Sequence, residues 1–113
     1  MVDRVALGHQ GGDYAEVQEM RERKVEDYLR QQVMRAGGLC EKHVSPGTWG
    51  VPDRLVTYQG KMFLVELKSP TGTLTNHQIR DHQMRLLRGV TVYVLNSKEA
   101  VDAWISKLEG KEL

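Results

Sequence analysis

The sequence predicts a mixed α/β domain, a central sheet of parallel and antiparallel strands flanked by helices, in the order α-β-β-β-α-β-α. Three observations predict it. A helical apolar stripe ends at a glycine pair, Gly37-Gly38. Two extended runs, Asp53–Tyr58 and Lys61–Lys68, are joined by Gln59-Gly60. A well-capped helix then separates that hairpin from another β-prone apolar run, Val90–Leu95. A hairpin followed by a helix and a further strand implies a sheet with helices packed on it, and the long connection into Val90 permits a parallel crossover.

Each element has a local reason. From Asp13 to about Ala36, Val25, Leu29 and Val33 recur every four residues, as one face of a helix requires. Gly37 reaches the left-handed conformation that commonly ends helices. Leu39–Val44 suits a short strand, and Ser45-Pro46-Gly47-Thr48-Trp49-Gly50 reads as a loop. Thr75 and Gln78 match the capping box, with Leu74 and Ile79 as the hydrophobic staple, and the helix should run to about Arg88 and stop at Gly89. Val90–Leu95 reads as a strand covered on both faces. After Ser97, residues Ala100, Val101, Trp104, Ile105 and Leu108 have the spacing of a final amphipathic helix.

A chain of 113 residues suits one domain, which buries roughly two-thirds of its unfolded surface. Residues 1–13, with Gly8, Gly11 and Gly12, read as a flexible or dimer-contacting arm, and residues 14–113 as the domain. Hydrophobic residues at 40% and charged ones at 27% exclude wholesale disorder. No apolar run reaches the roughly 20 residues of a membrane span. Residues 1–13 lack the apolar core of a secretory signal, and Cys40 is the one cysteine, so a soluble, cytoplasmic protein is expected. The net charge of +1 hides a local bias: Lys68, Arg80, Arg85 and Arg88 face a single acid, Asp81, between positions 68 and 88, with His77 and His82 available to protonate. Such a strip attracts phosphate even when the total charge is near zero.

The chemistry concentrates in Gly50-Val51-Pro52-Asp53 and Val65-Glu66-Leu67-Lys68. Residues two apart on a strand share a face, so Glu66 and Lys68 point one way and Val65 and Leu67 the other. Antiparallel pairing through Gln59-Gly60 sets Asp53 opposite that end, where two carboxylates and an ammonium converge. Carboxylate oxygens suit Mg²⁺ or Mn²⁺, which take further oxygens from water and phosphate. A cation held there acidifies water and neutralises charge on a phosphodiester, and Lys68 is placed to orient the attacking water or stabilise the transition state. His77 and His82, five apart, do not make the i, i+4 pair of a helical zinc site. Trp49 is read as packing to anchor its loop, with base stacking as the alternative; Lys42 and His43 are read as surface residues, with an approach to phosphate as the alternative, and Cys40 is read as a small buried hydrophobe.

Gly50-Val51-Pro52-Asp53-Arg54 followed by Phe63-Leu64-Val65-Glu66-Leu67-Lys68 resembles the virus-type VRR-NUC domain of the PD-(D/E)xK, restriction-endonuclease-like superfamily. The resemblance runs from about Arg21 to Ile105 and implies an αβββαβ core with metal-dependent phosphodiester hydrolysis. It makes Asp53 and Glu66 metal-binding carboxylates and Lys68 the catalytic lysine, with the Leu67 carbonyl as a further metal ligand. It expects a glutamate from the first helix, Glu26 in preference to Glu22, and a glutamine at Gln78, whose cap role is also a complete structural explanation. Arg80, Arg85, Arg88 and Lys42 are then candidates to hold DNA. The implied protein is a Mg²⁺-dependent DNA endonuclease, with Mn²⁺ able to substitute, acting as a homodimer on branched DNA in the manner of a Holliday-junction resolvase. The competing readings are a non-catalytic DNA-binding module on the same fold and a sequence-specific restriction-like enzyme.

Overall fold

In the computed structural model, α1 (Val2–Arg35) leads to β1 (Leu39–Lys42), β2 (Arg54–Tyr58), β3 (Lys61–Leu67), α2 (Asn76–Leu86), β4 (Val92–Leu95) and α3 (Lys98–Glu109). The structure describes the side chains of residues 14–113; the arm expected over residues 1–13 lies outside them. The sheet order is β1-β2-β3-β4, antiparallel across the first three strands and parallel between β3 and β4. This is the expected mixed α/β architecture.

The α1 stripe is buried throughout at Val25, Leu29 and Val33. At its end Gly38 N–H donates to Val33 O (2.9 Å) and Gly37 N–H to Met34 O (3.0 Å), the paired bonds of a Schellman cap, with Gly37 at φ +90°. Gly38 also lets β2 approach, since a Cβ there would lie 2.9 Å from Thr57 O. Val56, Tyr58, Val65, Leu67 and Leu95 meet this stripe together with Val101, Trp104, Ile105 and Leu108 of α3. Phe63, Tyr93 and Trp104 close the layer with ring centroids 5.7 to 6.2 Å apart, in the edge-on and tilted arrangements aromatic quadrupoles favour.

The opposite face of the sheet is largely open. The register sets Leu39, Thr57 and Met62 in one row and pairs Glu66 with Val94; Leu39, Met62 and Val94 remain 54%, 64% and 41% exposed. The expectation that Val90–Leu95 is covered on both faces is therefore corrected. Regular pairing begins at Val92, β4 is an edge strand, and α2 buries none of its own residues. Likewise β1 stops at Lys42, and Cys40 is half-buried.

The loop before β2 is fixed against the start of α2. Gly47 and Gly50 both have positive φ, +81° and +80°, but their surroundings differ. A Cβ on Gly47 meets nothing within 4 Å, whereas one on Gly50 would lie 2.4 Å from the His77 carbonyl and 2.7 Å from Gln78 N. Gly47→Ala should thus cost only the left-handed backbone penalty of about 1–2 kcal/mol. Gly50→Ala should cost clearly more in urea denaturation because the loop must lift from α2.

Candidate active site

Arg54 pairs with Val65, so the register carried one residue further brings Asp53 opposite Glu66. Asp53 Oδ2 accepts the Leu67 N–H at 2.8 Å, which fixes its carboxylate on the end of β3. Glu66 is only 1% exposed. Its Oε2 accepts a hydrogen bond from Gln78 Nε2 at 3.0 Å, while Gln78 Oε1 accepts the Thr75 N–H at 2.9 Å and Thr75 Oγ1 accepts the Gln78 N–H. Gln78 therefore completes the capping box and holds Glu66 at the same time. Lys68 follows on the face of Glu66, with its backbone N–H donating to Leu95 O at 3.0 Å, where β4 ends.

The two candidate glutamates of the first helix lie in different surroundings. Glu26 Oε2 accepts from Arg54 Nε at 2.7 Å in a half-buried ion pair. Arg54 follows Asp53, so its side chain projects to the other face of the sheet, toward α1, and takes Glu26 with it. Glu22, one turn earlier, feels the cluster directly: burial raises its carboxyl pKa first, then Asp53, while Lys68 opposes them. Sequence reasoning also missed Gln18, which accepts from Ser69 Oγ and donates to Thr71 Oγ1, both at 2.7 Å, tying α1 to the turn after β3. Its position four residues before Glu22, on the same helix side, was the available signal.

His82 was also missed as a site neighbour. Far from being a surface group ready to protonate, it is half-buried on α2 with its buried Nε2 3.5 Å from Glu66 Oε1, and neither atom has a hydrogen-bond partner. Burial lowers the His82 pKa. Burial, followed by the neighbouring Asp53 carboxylate, raises Glu66 from 4.5 to about 9, against the pull of Lys68. A buried carboxylate is costly unless it is protonated, paired or metal-bound. Among the described residues no three His, Cys, Asp or Glu side chains form a ready metal shell. A Mg²⁺-type ion does not need one: it commonly takes one or two carboxylates and completes its shell with water and phosphate. Two carboxylates with an orphaned buried oxygen, beside a backbone carbonyl, have the donor chemistry for such a hard cation.

The basic strip is less uniform than its sequence. Arg85 Nε is paired with Asp81 Oδ2 at 2.8 Å, and Arg88 donates to Met84 O at 2.9 Å. Both are engaged by groups of α2. Arg80 has no ion pair among the described residues, and Lys42 is exposed on β1. His43 Nδ1 lies 2.9 Å from Pro52 O and steadies the approach to Asp53. The loop-packing role expected for Trp49 does not hold: its side chain is 77% exposed and leans on His77, ring centroids 5.6 Å apart.

The raised Glu66 pKa gives a signed prediction for the metal-free protein. Between its unfolded value of 4.5 and its folded value of about 9, the folded state holds the extra proton. Stability should therefore fall as pH rises through that window, by up to about 1.4 kcal/mol per pH unit. Measurement from pH 7 to 8.5 avoids the His82 transition, which lies below 6.5. Glu66→Gln should remove most of this slope in thermal denaturation and raise the metal-free Tm at the alkaline end.

No family model matches the chain. It is 42% identical over 81 residues to "Putative nuclease p44" of Acyrthosiphon pisum secondary endosymbiont phage 1, a match spanning 71% of this chain and 87% of that protein. Its fold is similar to a solved structure described as a VRR_NUC domain, with a TM-score of 0.70 and 33% sequence identity, covering 76% of this chain and 95% of the other. With the mixed sheet, the Asp53/Glu66/Lys68 cluster at the end of its two central strands and these two likenesses together, the chain belongs to the VRR-NUC family of restriction-endonuclease-like nuclease domains.

Proposed function

We propose that this nuclease domain is a divalent-metal-dependent DNA endonuclease that acts on branched DNA as a homodimer in the cytoplasm. The observation that carries the reading is the buried Glu66 carboxyl, with one oxygen unpartnered, facing Asp53 beside Lys68. Asp53, Glu66 and the Leu67 carbonyl would hold Mg²⁺ or Mn²⁺, with Glu22 rather than Glu26 as the acid from α1. When bound, the cation supplies charge neutralisation at the phosphate and acidifies water.

The remaining work falls to the chain's own groups. The Leu67 N–H keeps Asp53 aimed along the end of β3, and Gln78 fixes the Glu66 carboxylate through its amide. Lys68 holds the attacking water and stabilises negative charge as the new P–O bond forms and the bond to the leaving sugar oxygen breaks. Arg80 and Lys42 dock the DNA backbone. No covalent enzyme intermediate is required. The open sheet face, with Leu39, Met62 and Val94 exposed, supports a second copy of the chain as its cover. Two sites related by a twofold axis suit the arms of a junction.

Cleavage of branched and linear DNA in Mg²⁺ and Mn²⁺ tests the reading against Lys68→Ala and Asp53→Asn. Each variant should lose about 10²–10³-fold in rate, the scale seen when one transition-state-stabilising donor is removed. Equal cleavage by the wild type and both variants would rule out this site as the catalyst. Paired symmetric nicks around the branch point are expected; cuts at one linear motif would replace junction resolution with a restriction-like activity. A companion comparison separates the two glutamates: Glu22→Gln should depress cleavage and weaken Mn²⁺ binding in calorimetry. Glu26→Gln should act mainly on stability, through the loss of its bond to Arg54.

A further inference from the structure

We propose that Trp49, backed by His77 and flanked by Arg80, is a stacking platform for an unpaired DNA base next to the cleavage site. The proposal rests on the nuclease reading above and specifies the form of its substrate. The chain has two tryptophans, and they are treated in opposite ways: Trp104 is 4% exposed in the core, whereas Trp49 is 77% exposed at the tip of a loop. A tryptophan ring has the largest apolar surface of any side chain, and leaving it in water forgoes burial that the core obtains from Trp104.

The exposure does not come from a loosely attached loop. Gly50 sits against the backbone of His77 and Gln78 so closely that no Cβ fits. Thr48 N–H donates to Ser45 O at 3.1 Å, and His43 braces Pro52 from the other side. The Trp49 ring is supported by the His77 ring at 5.6 Å with a 31° tilt, an offset arrangement that leaves most of the indole facing solvent. Below it opens a groove of about 390 Å³ lined by Gly47, Thr48, Trp49, His77, Arg80 and Met84. Asp81 also borders this groove, but its carboxylate is taken by Arg85, so the Arg80 charge is left to a ligand.

Position links the platform to the chemistry. His77, which supports the ring, immediately precedes Gln78, which holds Glu66. A rigid aromatic face with an adjacent guanidinium recognises a nucleobase by stacking and its phosphate by charge, with little regard for base identity. Bases inside a duplex are stacked on their neighbours and offer no free face. An unpaired base at a branch point, in a flap or in a single-stranded gap does. The ligand class is therefore DNA with an unpaired base beside the scissile phosphate.

The test uses the full chain without divalent cation, so that binding is read without cleavage. The probes are a DNA junction with unpaired nucleotides at its branch and a fully paired duplex of the same length. The wild type should show quenching of Trp49 emission by the junction, and Trp49→Phe, which retains only the buried Trp104, should lose that quenching. Trp49→Ala should weaken junction binding by about 10-fold or more, the scale of a lost base–aromatic stack, and leave duplex affinity unchanged. Trp49→Phe should recover most of the affinity, because a phenyl ring still stacks. Undiminished junction affinity in Trp49→Ala, equal losses on junction and duplex, or persistent quenching in Trp49→Phe would each overturn the platform. Loss of self-association by Trp49→Ala in analytical ultracentrifugation would also overturn it, by assigning the ring to a protein interface. The two readings fail separately: a wild type that binds junctions through Trp49 but never cuts in Mg²⁺ or Mn²⁺ removes the nuclease and keeps the platform. A wild type that cuts, with Trp49→Ala unaltered, does the reverse.

Discussion

The site depends on a carboxyl group that has been taken out of water and set against another carboxylate. Glu66 cannot ionise there at ordinary cost, because burial and Asp53 both oppose its charge while Lys68 offsets only part of the penalty. The rest of the local structure maintains that confrontation. The β2–β3 register brings the two residues opposite, the Leu67 N–H pins one, and the Gln78 amide pins the other. A positive ion brought between them would relieve the repulsion, so the free energy of holding the pair becomes part of the affinity for the ion.

Around this pair the fold separates two tasks between the faces of its sheet. One face packs against α1 and α3 and holds the apolar residues that keep the strands in place. The other carries Glu66 and is closed at that end by groups of α2, with much of the remainder open. Arg54 and Asp53, adjacent in the chain, project to opposite sides by the alternation of a strand. One neutralises Glu26 beside α1, and the other meets Glu66. The separation keeps the Arg54–Glu26 ion pair and the Asp53 and Glu66 carboxyls from competing for partners.

What could be read from the sequence follows the physics of each element. The sheet order and the meeting of Asp53 with Glu66 depend on a short turn and a period of two, which leave little freedom once the hairpin is recognised. The choice between Glu22 and Glu26 was not accessible in the same way. They lie four apart on one side of a helix, and what distinguishes their surroundings is a tertiary contact, the Arg54 guanidinium on Glu26. His82 escaped notice because its approach to Glu66 depends on how α2 turns toward β3, which no local pattern encodes. The apolar run at Val90–Leu95 suggested cover on both faces, but an edge strand beside an open face has the same composition. Trp49 was misjudged by the usual preference of its type for packing; only the closeness of Gly50 to α2 reveals that the loop is anchored without it.

The doubled duty of Gln78 has a chemical corollary. Either glutamine or glutamate can complete a capping box, since the cap asks only for an acceptor facing the backbone amide. The amide has an N–H₂ left over for the neighbouring carboxylate; a carboxylate side chain has only lone pairs and would add a third negative group to a place that already struggles with two. A swap that leaves the helix start intact would thus spoil the electrostatics behind it, and the identity of this one side chain is dictated from outside the helix it begins.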